Sequence, residues 1–170
     1  MGLLVFFGLI RPAMKAALAP PPPPAPGAQL SAVVDDDNLL PEGGKRSFSF
    51  ATATGTGDTV ELQIRRVAGG LFTTRVFESM EVGVPIEFEG PLGSFFLRED
   101  SKKPIIFVAG ATGFAPVKSM VEHAFRTGLK RRMVLYWGTR TLRDMYAREL
   151  CEAGAREHAN FTFVPVLSEP

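Results

Sequence analysis

The stretch IIFVAGATGFAP, residues 105–116, constrains this chain more than any other. Ile105 to Val108 is a short continuous apolar run bounded by turn residues, as in a strand buried on both faces. After Pro116 the apolar residues Val117, Met120, Val121, Ala124 and Phe125 recur at helical spacing, and Gly128 supplies a C-terminal stop. Pro116 suits a first helical turn, where a missing N–H costs nothing. The reading is strand, tight glycine turn, helix. In such a turn Gly110 and Gly113 permit positive φ and leave room for a group to approach the backbone. Thr112 adds a hydroxyl, and the helix N-terminus offers free N–H groups and partial positive charge. An anion or a nucleotide would fit there. So would no ligand at all, since the same residues make an ordinary strand–helix turn, and the spacing is not G-x-G-x-x-G.

The rhythm around this turn divides the chain. From Arg46 to Leu97 the signals are β: SFSFATA (47–53), TVELQIRRV (59–67) and VPIEFEG (84–90), with GTGD (55–58) as a turn. Val60, Leu62 and Ile64 alternate with Glu61, Gln63 and Arg65, which predicts a strand with one wet face. GGLFTTRVFESM (69–80) interrupts with two glycines, then Thr73 or Thr74 as N-cap of a short helix, a second possible phosphate seat. After Ile105 the order becomes strand, helix, strand: MVLYWG (133–138), a helix over TLRDMYARELCEAG (141–154), and FTFVPVL (161–167). Such alternation predicts a parallel sheet with right-handed crossovers. The composition changes near SKKP (101–104).

Charge and cysteine content narrow the function. Nineteen basic against eighteen acidic residues argue against nucleic-acid binding through a basic surface. The single cysteine, Cys151, suits a reducing, cytoplasmic setting and excludes a four-cysteine zinc or iron–sulfur site within these residues. GLLVFFGLI (2–10) is apolar but far shorter than the roughly 20 residues that cross a bilayer, so no membrane span is expected. No positive charge precedes it as in a signal peptide. With the proline run at 20–24 it reads as a poorly ordered extension over 1–37. His123 and His158 read as surface residues, Cys151 as a small buried apolar, Glu152 as helix surface and DDD (35–37) as a solvated turn.

RSFS (46–49) places an arginine, an aromatic ring and two hydroxyls on one strand, Arg46 sharing a face with Phe48 and Ser47 with Ser49. RSFS, IRRVAGGLFT (64–73), EGPLGSFFL (89–97), FVAGATGFAP (107–116) and YWGTRTLRDMY (136–146) follow in that order. Together, over residues 38–170, they resemble the flavin- and NAD(P)H-binding module of the ferredoxin–NADP reductase superfamily. The likeness is greatest to its oxygenase-reductase branch and to the bacterial CDP-6-deoxy-glucoseen reductases. The resemblance implies a partial antiparallel flavin-binding β-barrel over 38–100, followed by a partial parallel-sheet nucleotide-binding α/β domain over 101–170. It implies that Arg46 binds an FAD phosphate, that Phe48 lies against the isoalloxazine, and that Ser47 lines the same strand. Ser49, near flavin N5, is the catalytic candidate. Val67, Gly70, Phe72 and Thr73 would seat the pyrophosphate. Gly110, Thr112, Gly113 and Pro116 would receive NAD(P)H, with Gly138 and Arg140 contacting its phosphate or ribose. Ala111 stands where the family usually has glycine, which narrows the approach or demands a shifted φ.

The implied chemistry is hydride transfer from NAD(P)H to FAD, with electrons passing to an iron–sulfur domain or protein, or to an oxygenase or dehydratase component. No iron–sulfur cluster is expected in this chain. A free-flavin reductase and an inactive nucleotide-binding fragment are the alternatives. The barrel strands expected ahead of RSFS are not read in the amino-terminal region, and the chain stops at LSEP within the nucleotide unit, so truncation at both ends is expected. A barrel short of strands would leave edges unpaired, and aggregation or partial order is expected of such a chain.

Overall fold

β4 (Thr59–Arg65) runs through the centre of the amino-terminal half. The computed structural model describes residues 3–9, 31–35, 46–53 and 55–169, the first two stretches as backbone. β1 (Leu3–Leu9) pairs antiparallel with β4 along its whole length, Leu3 opposite Arg65 and Leu9 opposite Thr59. β2 (Ser31–Asp35) lies between β3 (Arg46–Ser49) and β5 (Glu87–Leu92), again antiparallel. A single bridge, Phe50 to Leu62, links the two small sheets. The nonapeptide set aside as extension therefore contributes a strand, as does part of the segment after the prolines. A backbone of Leu, Val and Phe is favourable in a ladder, and β4 supplies the partner that a local reading could not see. The proline run and Asp36 and Asp37 lie outside the described residues.

α1 (Leu71–Glu78) closes this half, burying Phe72 and Val76 against Phe50, Leu62 and Ile64. Its N-cap is Gly70, not Thr73 or Thr74. The observed β3 is shorter than 47–53, and β5 is shifted toward the C-terminus from 84–90.

The second half is a parallel sheet in the order β6 (Ile105–Gly110), β7 (Met133–Thr139), β8 (Phe161–Leu167). α2 (Phe114–Arg126) and α3 (Arg148–Glu157) supply its covering side chains. Phe107, Ala109, Leu135, Trp137 and Phe161 meet Val117, Met120, Val121, Ala124 and Cys151 in one core. Leu135 and Trp137 are completely buried, and truncating either to alanine would cost about 3–5 kcal/mol. β6 is not buried on both faces: Ile106 and Val108 are 68% and 75% exposed. The expected helix over 141–154 is divided. Thr141 and Asp144 form a reciprocal cap on a one-turn 3-10 helix (Leu142–Asp144), and α3 begins only at Arg148. Gly154 does not end α3 but lies within it, where a β-carbon would stand 3.1 Å from the Phe125 ring.

Candidate functional site

The glycine turn follows β6 at the sheet's carboxyl end, with Gly110 and Gly113 exposed. Gly110 pairs with Gly138 of β7, so two bare α-carbons lie side by side where the strands finish. A β-carbon built on Gly110 or Gly113 would meet nothing within 4 Å. Residues Ala111–Gly113 form one 3-10 turn, and α2 starts at Phe114 with Gly113 as N-cap. Pro116 is buried in the first turn of α2, where its missing N–H is harmless. Neither glycine uses the positive φ it permits: Gly110 lies at −125° and Gly113 at −61°. The left-handed residue is Ala111, at φ 46°, the shifted φ that the resemblance offered as one outcome of an alanine there. A β-carbon in that region costs about 1–2 kcal/mol. The indole of Trp137 holds the turn there, donating from Nε1 to the Ala111 carbonyl at 3.0 Å. Phe114 stacks on the same indole at 4.1 Å between centroids, and Tyr146 meets it edge-on at 5.1 Å.

Arg140 stands beyond Gly138. Its guanidinium makes a two-point pair with Glu169, Nε to Oε1 at 2.9 Å and Nη2 to Oε2 at 3.0 Å. The pair raises the Arg140 pKa and lowers that of Glu169, each through its hydrogen bond to the other. Both side chains are exposed at the ends of β7 and β8, so solvent screens the pair.

In the first half, the structure brings RSFS and GGLFT together. The Phe48 ring lies 5.3 Å from that of Phe72, tilted by 40°. Arg46 and Ser47 are exposed on β3, whereas Phe48 and Ser49 are half-buried. The Val67–Thr73 loop closes on itself. Thr73 Oγ1 accepts from the Val67 N–H at 3.2 Å and donates back toward the Val67 carbonyl, while the Gly70 N–H reaches that carbonyl at 3.0 Å. A β-carbon on Gly70 would stand 2.7 Å from Thr73 Oγ1, so only glycine fits. One helical turn on, Arg75 Nε is buried without a hydrogen-bond partner, the one such side-chain atom recorded among the described residues. A buried guanidinium nitrogen with no partner suits an anionic group.

A buried polar seam joins the halves. Lys118 of α2 donates to Glu61 Oε2 at 2.9 Å and to the Ala51 carbonyl at 3.2 Å, and pairs with Glu122 at 2.9 Å. Ser119 donates to the Thr52 carbonyl at 2.7 Å. Tyr146 donates to Gln63 Oε1 at 2.5 Å, and Gln63 Nε2 to Glu61 Oε1 at 2.9 Å. The expected wet face of β4 is therefore an interior one: Glu61 and Gln63 are only 7% and 6% exposed. Burial alone would lower the Lys118 pKa, but hydrogen bonds to Glu122 and Glu61 outweigh it and leave it raised. Burial pushes the Tyr146 phenol upward, with Glu61 adding to the shift, so it remains a donor.

His123 is also not a surface residue. It is buried, with Nε2 2.8 Å from Glu99 Oε1. His158 stacks on Phe125 at 3.6 Å between centroids, and Cys151 is buried as expected, its thiol pushed up to about 12 by burial. Among the described residues no group of three or more His, Cys, Asp or Glu stands together to hold a metal ion, and no helix is long and apolar enough to cross a membrane. The seam and the aromatic brace are what sequence reasoning missed. The only local trace was the pair of polar residues between apolar ones in β4, which looks the same whether water or another domain lies above it.

Comparison with known proteins agrees with this division. Residues 33–97 match the Oxidoreductase FAD-binding domain and residues 107–170 the Oxidoreductase NAD-binding domain. The chain is 40% identical over 131 residues to the CDP-6-deoxy-L-threo-D-glycero-4-hexulose-3-dehydrase reductase of Yersinia pestis, covering 77% of this chain and 39% of that protein. It is 37% identical over 126 residues to the phenol 2-monooxygenase reductase component DmpP of a Pseudomonas species, covering 74% and 36%. The crystal structure of the Amycolatopsis cytochrome P450 reductase GcoB superposes with a TM-score of 0.73 at 33% identity, over 84% of this chain and 43% of that one. The chain thus spans about two-fifths of the length of the curated relatives it matches. Two matched domains in one order, on a ferredoxin reductase-like fold, show that the chain belongs to the family of oxidoreductases that join an FAD-binding domain to an NAD-binding domain.

Proposed function

We propose that this chain is the cofactor-binding part of an NAD(P)H-dependent flavoprotein reductase. The observation that carries the reading is the bare carboxyl end of the parallel sheet, Gly110 beside Gly138, held by a buried seam to the half that contains RSFS. A flat ring could lie against two α-carbons without side chains, and larger residues would exclude it. When bound, NAD(P)H would supply a hydride and FAD would accept it. The chain's own residues bind and orient. Gly110, Thr112 and Gly113 would admit the nicotinamide half, with Pro116 setting the start of α2, whose N-terminal amides favour negative charge. Gly138 and Arg140 would border the phosphate or ribose. Arg46 would hold an FAD phosphate, Ser47 and Phe48 would line the flavin, and Ser49 would donate a hydrogen bond near N5. Val67, Gly70, Phe72 and Thr73 would shape the pyrophosphate loop, with Arg75 Nε as a further donor.

The domains would run over 38–100, as part of a flavin barrel, and 101–170, as part of the NAD(P)H domain. By analogy with the reductases it resembles, the electrons would pass to an iron–sulfur domain or protein, or to an oxygenase or dehydratase component. The unpaired, buried Cys151 supports a cytoplasmic setting.

The test is to titrate the purified chain with FAD and to follow NADH and NADPH oxidation with ferricyanide. Bound flavin is expected, and Arg46→Ala is expected to weaken it by about 1.5–3 kcal/mol, the range for a hydrogen bond to a charged group. A folded chain that binds neither FAD nor NAD(P)H would overturn the reading.

A further inference from the structure

The buried seam and the strained turn share residues. Trp137 Nε1 holds the Ala111 carbonyl, and the Tyr146 ring stands edge-on to that indole. The Tyr146 hydroxyl crosses into the other half to Gln63, a partner 83 residues away in the chain. Gln63 donates to Glu61, Glu61 accepts from Lys118, and Lys118 sits on the second turn of α2. α2 begins at the glycine turn, and its first residue, Phe114, stacks on Trp137. The contacts thus form a closed ring: turn, Trp137, Tyr146, Gln63, Glu61, Lys118, α2, turn.

Such a ring is costly to break at any point. Glu61 is buried, and loss of either donor leaves a desolvated carboxylate short of a partner. Phe114, Trp137 and Tyr146 are packed, and Phe114 and Trp137 are almost wholly buried, so they do not absorb a displacement by flexing. A shift of β4 is therefore carried to the Ala111 carbonyl, whose residue already lies in a sparsely populated backbone region.

We propose that Tyr146, Gln63 and Lys118 are positioning residues that couple the NAD(P)H turn to strand β4 of the FAD-binding half. They hold the turn in its strained shape only while the two halves are docked. The functional part of this proposal rests on the reading that the turn receives NAD(P)H, whereas the coupling itself does not.

The test uses Trp137, the sole tryptophan of the chain, as an intrinsic reporter. Emission and acrylamide quenching are measured for the full chain and for Gln63→Leu, Tyr146→Phe and the double variant. Tyr146→Phe keeps the ring and loses only the hydroxyl. Gln63→Leu lies in the other half. If the ring couples them, both singles change Trp137 accessibility in the same sense, and the double variant changes it no further than either single. Hydrogen exchange at residues 110–114 should rise by about ten-fold in Tyr146→Phe and in Lys118→Met, and less in Lys118→Arg, which keeps the charge. A Gln63→Leu chain with native Trp137 emission and native exchange at the turn, or strictly additive effects, would overturn the proposal. Titration with NADH separates the two claims. If NADH fails to bind the native chain while the variants couple as expected, the coupling stands and the NAD(P)H reading of the turn falls.

Discussion

The two glycine loops look alike as sequence and behave oppositely as structure. The Val67–Thr73 loop spends its polar groups on itself: Thr73 Oγ1 lies against the Val67 amide and carbonyl, and nothing but glycine fits at position 70. The Gly110–Gly113 turn is open around both glycines, and its strain is concentrated at Ala111. A loop can therefore require glycine because the protein fills the space, or keep glycine because something else will. The same substitution separates the two cases.

The largest effect is expected at Gly70. Gly70→Ala places a methyl 2.7 Å from Thr73 Oγ1 and 3.2 Å from the Val67 carbonyl. Overpacking of this kind should destabilise the chain by about 2–3 kcal/mol in a denaturant titration. Gly113→Val, at an ordinary φ in open space, should leave stability and bound flavin intact while raising the apparent KM for NAD(P)H about ten-fold, or ~1.4 kcal/mol. Loss of flavin with unaltered nicotinamide kinetics would show that the turn serves the other cofactor.

Backbone and hydroxyl changes should be smaller. Ala111→Gly removes the left-handed strain, and after the entropy cost of glycine it should stabilise the chain by about 0.5–1 kcal/mol. Thr73→Val deprives the Val67 amide of its acceptor and should cost about 1 kcal/mol, against no measurable change for Thr112→Val. Equal losses at the two threonines would erase the contrast between the loops.

Much of the second half was legible because its signals are local. The apolar run of β6, the spacing of α2 and the bounds of β8 follow from residues within a few positions of one another. The division of the helix over 141–154 was not, because Thr141 and Asp144 compete for the backbone and stop the first turn early. The burial of His123 depends on Glu99, 24 residues upstream, and no helical periodicity reports such a partner.

Two further predictions sharpen the contrast at the seam and at the sheet end. Lys118 has a folded pKa above its ordinary 10.5, so its stabilising pairs are fully present below that pH. They are lost as pH rises through the folded value. Alkaline loosening should therefore appear first at α2 and the 110–113 turn, read by hydrogen exchange, and not at the 67–73 loop. The smallest effect is expected at Glu169→Gln. It releases Arg140 from a carboxylate and should favour nucleotides with a 2′-phosphate by about two- to five-fold, as expected for an exposed pair. Unchanged selectivity between NADH and NADPH would place Arg140 away from the ribose.

What the residues determined alone is the order of strands and helices after Ile105, the two glycine turns, and the ordered motifs that match an FAD-binding and an NAD-binding domain. These depend on backbone preference and short-range periodicity, which act over three or four positions. Tertiary structure decided that both faces of β4 are buried, which residue of the 110–113 turn carries the strain, and that Leu3–Leu9 is a strand. Glu61 is buried because Lys118 arrives from 57 residues away, and Gln63 because Tyr146 arrives from 83. A polar side chain leaves water at little cost only when its partner is already in place, and that partner exists only once the chain has folded.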